Sequence, residues 1–190
     1  FSNVQLNRNT TSHTMSSSIT FFIVFNYAGS ITSNTALAKV TTNNGNFNLY
    51  YKSATNLFTL QYNGIGTADT GTVSSSTPSL SGNTVQIAVG MIDSNATMYL
   101  ALINSAGGYI AGSSPSFSTN ANVYKTNISY TGTNHTTYSG IDVILANCDS
   151  SMSCSRFNGN INEFILYNDR LFDSQIDNVL KSLNLKWSVY

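Results

Sequence analysis

Ser18-Ile19-Thr20-Phe21-Phe22-Ile23-Val24-Phe25-Asn26 is a run of strand length, built from β-branched and aromatic residues. Such side chains suit a pleated, well-buried surface, and a run this short falls far below the roughly 20 apolar residues of a membrane-spanning helix. Similar alternating or continuous apolar stretches, set off by Gly, Asn, Ser and Thr, follow along the chain. Including the first, they predict strands over residues 18–26, 36–41, 47–52, 57–62, 85–93, 97–104, 109–112, 141–146 and 160–168. The reading is an all-β, antiparallel sandwich. Eleven Tyr and ten Phe give the strands large side chains to pack.

The connections agree with this pattern. Asn44-Gly45, Asn63-Gly64 and Gly107-Gly108 stand between apolar runs, where a reversing chain favours positive φ, so each predicts a hairpin turn. Asp93-Ser94-Asn95 reads as an Asx-type turn joining two central strands. Residues 64–81, with Pro78, and 112–138, with Pro115, are long and polar and read as loops. One helix is expected, at the C-terminal end. Asp173-Ser174 supplies an N-cap, Ser174 and Asp177 read as a capping box, and Ile176, Val179, Leu180, Leu183 and Trp187 form an apolar stripe.

Charge limits the chemistry. Only 8% of the 190 residues are charged, eight basic against eight acidic with no run of either sign, which excludes the basic stripe that nucleic acid requires. The same balance offers no attraction to anionic membranes, and no stretch is apolar enough for membrane insertion. Glu163 is the sole glutamate. The start at Phe1 reads as a piece of a longer protein, with residues 1–190 as one domain.

Three stretches resemble the laminin-G-like, concanavalin-A-like jelly-roll domains of the lectin and glucanase superfamily. They are residues 17–25, the pair 85–91 and 96–104, and residues 157–171, which read Phe-Asn-Gly-Asn-Ile-Asn-Glu-Phe-Ile-Leu-Tyr-Asn-Asp-Arg-Leu. The last is the most specific, and the Lys186-Trp187 pair ending the expected helix also fits. The resemblance implies a β-sandwich, a fold that hosts lectins, adhesion modules, enzymes and shell components.

Sugar hydrolysis on such a fold calls for paired carboxylates. Glu163 is followed by Phe164 and Ile165, with Asp149 and Asp169 across a loop or strand end, so it reads as a structural residue satisfying local backbone donors. His135 lacks a positioned acid or nucleophile in sequence, and with Arg156 it reads as a loop residue and not as half of a lyase pair. The chain is therefore expected not to be an enzyme.

Calcium is the one cofactor the resemblance suggests, with Asp93, Asn95, Asp142 and Asp149 as hard ligands, although no dense Asp-x-Asp cluster occurs. Cys148 and Cys154 enclose five residues and read either as a small disulfide loop or as two reduced thiols. Sugar rings need aromatic faces and their hydroxyls need amides. Tyr124, Asn127, Tyr130, Asn134 and Tyr138 offer both within one long excursion and form the expected recognition surface. Sequons at Asn9, Asn95, Asn127 and Asn134 would, if glycosylated, mask part of it.

The functional expectation is a non-catalytic attachment module on an extracellular or virion-surface protein. Its partner would be a glycan or a cell-surface protein. The alternative is a structural domain of a capsid or similar shell, whose partners are neighbouring subunits.

Overall fold

The computed structural model describes residues 18–27, 33–55, 57–64, 70–75, 84–129, 142–146, 155 and 157–190. Ten strands precede a helix: β1 (Ile19–Tyr27), β2 (Thr35–Thr41), β3 (Gly45–Lys52), β4 (Leu57–Gly64), β5 (Thr70–Ser74), β6 (Gln86–Ile92), β7 (Thr97–Ile103), β8 (Val123–Asn127), β9 (Asp142–Leu145), β10 (Gly159–Tyr167) and α1 (Asp173–Trp187). They form two five-stranded antiparallel sheets, ordered β10-β1-β6-β7-β8 and β5-β4-β3-β2-β9. At one side the sheets meet, Thr70 and Ser129 exchanging backbone hydrogen bonds of 3.1 and 2.8 Å.

The continuous apolar character of β1 follows from its place inside the first sheet. Phe21, Ile23 and Phe25 face the second sheet, while Phe22 and Val24 face the helix, so both faces are dry. β6 and β7 share this position, with Ala88, Leu100 and Leu102 on one side and Ile87, Val89 and Ala101 on the other. Each large side chain so buried contributes roughly 1.5–3 kcal/mol of hydrophobic stabilisation. Gly90 is small for a reason: the Phe21 ring, its cross-strand partner, occupies the space a Cβ would need.

The closing stretch carries a bulge. Val24 pairs with Glu163 but Phe25 with Ile161, so Asn162 is an extra residue in β10. The bulge lets Ile161 and Phe164 both pack toward the inter-sheet core, while Glu163, Ile165 and Tyr167 turn to the helix side.

Helix α1 covers the first sheet with Ile176, Leu180 and Leu183 buried. Its start differs from the expected cap. Thr20 Oγ1 donates to the Asp169 carbonyl (2.9 Å) and accepts from Leu171 N–H (3.0 Å), which sets Phe172 as the N-cap. Phe172 N–H donates to Gln175 Oε1 at 2.8 Å, supplying the return bond expected from Asp177. Asp173 instead reaches across to a 3-10 turn, Phe117–Thr119, accepting from Ser118 N–H and Oγ at 3.2 and 2.8 Å. Asp177 accepts from Tyr109.

Several other expectations are corrected. Residues 109–112 are not a strand: buried Tyr109 leaves the Gly107-Gly108 turn to pack on Phe117 and bond Asp177. The long polar excursions contain the edge strands β5 and β8, which bury few apolar side chains, Val73 in β5 and Val123 with half-buried Tyr124 in β8. Asn63-Gly64 is strand, paired with Asn46 and Gly45, and not a turn. At Asn44-Gly45 the chain does reverse, but without positive φ. Thr42 Oγ1 accepts from both of their N–H groups there and donates to the Gly45 carbonyl.

Candidate functional site on the outer face of the second sheet

The helix occupies the outer face of the first sheet, and the outer side chains of the second sheet belong to neither apolar cluster. Alternation decides which residues stand there. Phe47, Leu49 and Tyr51 of β3 and Phe58, Leu60 and Tyr62 of β4 point into the core, so Asn46, Asn48, Tyr50, Thr59, Gln61 and Asn63 point out. Register then places Asn46 opposite Asn63, and Asn48 opposite Gln61. Four amides thus form a block on two adjacent strands.

Asn48 is the floor of this block, only 5% exposed. It lies between Lys39 of β2 and Gln61 of β4, with Asn46 and Tyr50 on either side along its own strand. No side-chain hydrogen bond joins Asn46, Asn48, Gln61 or Asn63 to any of the described residues, whereas Thr59 and Ser74 are already paired at 2.9 Å. An amide carries two donors and two acceptor lone pairs, so the block presents both kinds of group. Tyr50 adds a half-buried ring whose phenol pKa burial raises.

The next row runs Asp142, Thr41, Asn46, Asn63 and Thr70 across β9, β2, β3, β4 and β5. Asp142 Oδ1 and Asn46 Oδ1 are buried and have no hydrogen-bond donor among the described residues. Leaving such an oxygen unmatched costs about 1–3 kcal/mol in a folded protein.

The expected recognition residues are not brought together on β8. Tyr124 and Asn127 are three residues apart on a strand, an odd spacing that sends them to opposite faces. Tyr124 packs half-buried against the inter-sheet core. Asn127 is exposed on the other face, where Thr97 Oγ1 donates to its Oδ1 at 3.1 Å. Tyr130, Asn134 and Tyr138 lie outside the described residues, as do His135, Arg156, Asp149, Cys148, Cys154 and the sequon Asn9. The amide block escaped sequence reading because Asn and Gln between apolar strand residues carry no motif. Only the pairing of β3 with β4 makes them neighbours.

Among the calcium candidates, Asp93 is buried with its carboxylate already matched. Oδ1 accepts from Asn95 and Thr97 N–H, each at 2.9 Å, and Oδ2 from Tyr99 O–H at 3.1 Å, with the Arg170 guanidinium 3.8 Å away. This is the expected Asx turn, and Asn95 serves it through its backbone. Asp142 stands on the second sheet, across the sandwich from that turn. No three His, Cys, Asp or Glu side chains lie together among the described residues.

Glu163 accepts from Trp187 Nε1 at 2.8 Å and Lys186 Nζ at 3.0 Å. Its donors are helix side chains and not the local backbone expected. These hydrogen bonds, Trp187 first, hold its carboxyl below the usual glutamate range.

No protein-family model matches the chain, and no curated protein matches its sequence. Solved structures do match. The binding domain of botulinum neurotoxin DC in complex with SialylT aligns with a TM-score of 0.52 and 11% identity over 87% of this chain. The present chain spans 35% of that one's length. The CBM40 of Ruminococcus gnavus IT-sialidase bound to α2,3-sialyllactose gives a TM-score of 0.52 and 13% identity, covering 92% of this chain and 91% of the other. Bound to α2,6-sialyllactose, the same module gives 0.51 and 13%, covering 92% of each. At such identities the likeness is one of fold. No helix among the described residues is long and apolar enough to cross a membrane.

Proposed function

We propose that this chain is a non-catalytic recognition module that binds a glycan on the outer face of its second sheet, with Asn48 at the centre. The observation that carries this reading is the block of four amides, Asn46, Asn48, Gln61 and Asn63, set side by side without hydrogen bonds to the described residues. Sugar hydroxyls both donate and accept, so amides in adjacent pairs match them, and the half-buried Tyr50 beside Asn48 gives a ring an apolar surface. One module of like fold, the CBM40, was solved with both α2,3- and α2,6-sialyllactose, which supports carbohydrate as the ligand class. The sparse charge and the commitment of Glu163 to Trp187 and Lys186 favour binding over hydrolysis. Display on an extracellular or virion-surface protein is the setting that fits such a module.

A glycan array followed by titration calorimetry tests the reading. Asn48→Ala combined with Gln61→Ala should weaken binding at least about tenfold, the effect of losing hydrogen bonds worth about 1.4 kcal/mol, with the thermal midpoint retained. Absence of binding to any glycan on a broad array, by a folded wild-type protein, would overturn it.

A further inference from the structure

We infer that two copies of this chain join edge to edge through β10, antiparallel about a two-fold axis at Ile165, so that their first sheets become one continuous sheet.

Four strands end the two sheets, β10 and β8 in the first, β5 and β9 in the second. An edge strand offers unpaired N–H and C=O groups on which another strand can form. β5 and β8 are drawn together by the backbone bonds of Thr70 and Ser129, and β9 is only four residues long and begins with Asp142. β10 is different. It runs nine residues, with β1 as its one pairing strand among the described residues and no Pro or Lys to guard its open side.

Along β10 the sheet stops before its apolar content does. In β1 eight of nine residues are buried, whereas Ile161, Phe164, Ile165, Leu166 and Tyr167 are each only half-buried. Phe164 and Leu166 pack toward the inter-sheet core. Ile165 and Tyr167 turn to the helix, where they share an open groove of about 300 Å³ with Val179 and Leu183. One more strand covers all four side chains and gains the hydrophobic stabilisation they now forgo.

Beyond the Asn162 bulge, residues 163–167 keep regular register with β1 and read Glu-Phe-Ile-Leu-Tyr, a stretch that complements itself. With Ile165 on the axis, Ile165 meets its own copy, Phe164 meets Leu166, and Glu163 meets Tyr167, each pair on a shared face. The polar groups match as well. Both donors of α1 reach Glu163 Oε2, so Oε1 accepts no hydrogen bond among the described residues, and the Tyr167 O–H makes none there. A two-fold axis sets that acceptor against that donor twice. Eight basic residues balance eight acidic ones, so no long-range repulsion opposes an identical chain. This self-match selects a second copy over a foreign strand.

Sedimentation velocity over a concentration series of the 190-residue chain, with hydrogen exchange at both ends of the series, tests the pairing. A monomer–dimer equilibrium is expected, with amides among residues 163–167 more protected in the dimer and those of β8 unchanged. Ile165→Lys sets two ammonium groups against each other at the axis and should abolish the dimer, with circular dichroism confirming the fold. Tyr167→Phe keeps the ring and loses both phenol bonds, so it should weaken association about tenfold or more. A chain that stays monomeric at millimolar concentration would overturn the inference. So would a dimer whose β10 amides gain no protection, or one that both substitutions leave at full strength.

Discussion

Trp187, near the end of α1, donates its indole N–H to Glu163 on β10 at 2.8 Å, fastening the helix to the edge of the first sheet. Lys186 reaches the same oxygen at 3.0 Å, with its ammonium 5.2 Å from the Trp187 ring centre. The sole glutamate of the chain is thus a clasp between helix and strand.

Replacing Glu163 by Gln should therefore destabilise the fold by about 1 kcal/mol at neutral pH, as befits a partly exposed, charge-assisted pair of hydrogen bonds. The folded carboxyl is held below its usual range, so the stabilisation is present above the unfolded value near 4.5 and is lost as pH falls through the folded one. Urea denaturation at neutral pH and at about pH 3 checks this: the gap between wild type and Glu163→Gln should close in acid. A gap that stays constant would show that ionisation of Glu163 plays no part.

Tyr109 donates to Asp177 Oδ1 at 2.6 Å from a fully buried position. Burial, then the Asp177 bond, pushes its phenol well above the usual tyrosine value. Wild type should consequently lose stability as pH rises above about 10, where the unfolded phenol ionises and the folded one does not. Tyr109→Phe should cost about 1 kcal/mol at neutral pH and flatten that alkaline fall, measured by thermal midpoints across the range.

Gly90 lies beneath the Phe21 ring. A methyl group there would overlap the far end of that ring and must displace it, so Gly90→Ala should cost about 1–3 kcal/mol. A lower urea midpoint at unchanged m-value is the expected signature. An unaltered midpoint would mean that β1 and β6 yield more readily than their packing implies.

Asn48→Asp offers a separate check on the site. It leaves the shape but removes the amide donors, so glycan affinity should fall about tenfold or more while Thr72→Ala, at the sheet edge, leaves it within about twofold. Calorimetry distinguishes the two. Equal losses from both variants would point to general disturbance of the face.

Much of the architecture was legible in the chain itself. Eight of the nine expected strands exist, with bounds close to those read from apolar runs bordered by Gly, Asn and Ser. Burial on the sheet's inner face dictates that periodicity, and the stripe of Ile176, Leu180 and Leu183 dictates the helix in the same way. The expected jelly-roll-like sandwich is present as two antiparallel sheets. β5 and β8 were hidden because edge strands bury few apolar residues: Val73 is the one large apolar side chain in Thr70–Ser74. Residues 109–112 misled because Tyr109 is buried by a distant helix, a contact that local alternation does not encode.

The chain's own residues, then, determined two layers of strands, a terminal amphipathic helix and a surface poor in charge, since each follows from local periodicity and composition. Which face the helix covers, where the Asn162 bulge turns Glu163, and which amides become neighbours were decided only by tertiary structure. Strand register sets them. Asn48 meets Gln61, and Asp142 and Asn46 flank Thr41, because hydrogen-bonded strands far apart in sequence align to bury Phe47, Leu60 and Val40 on the opposite face.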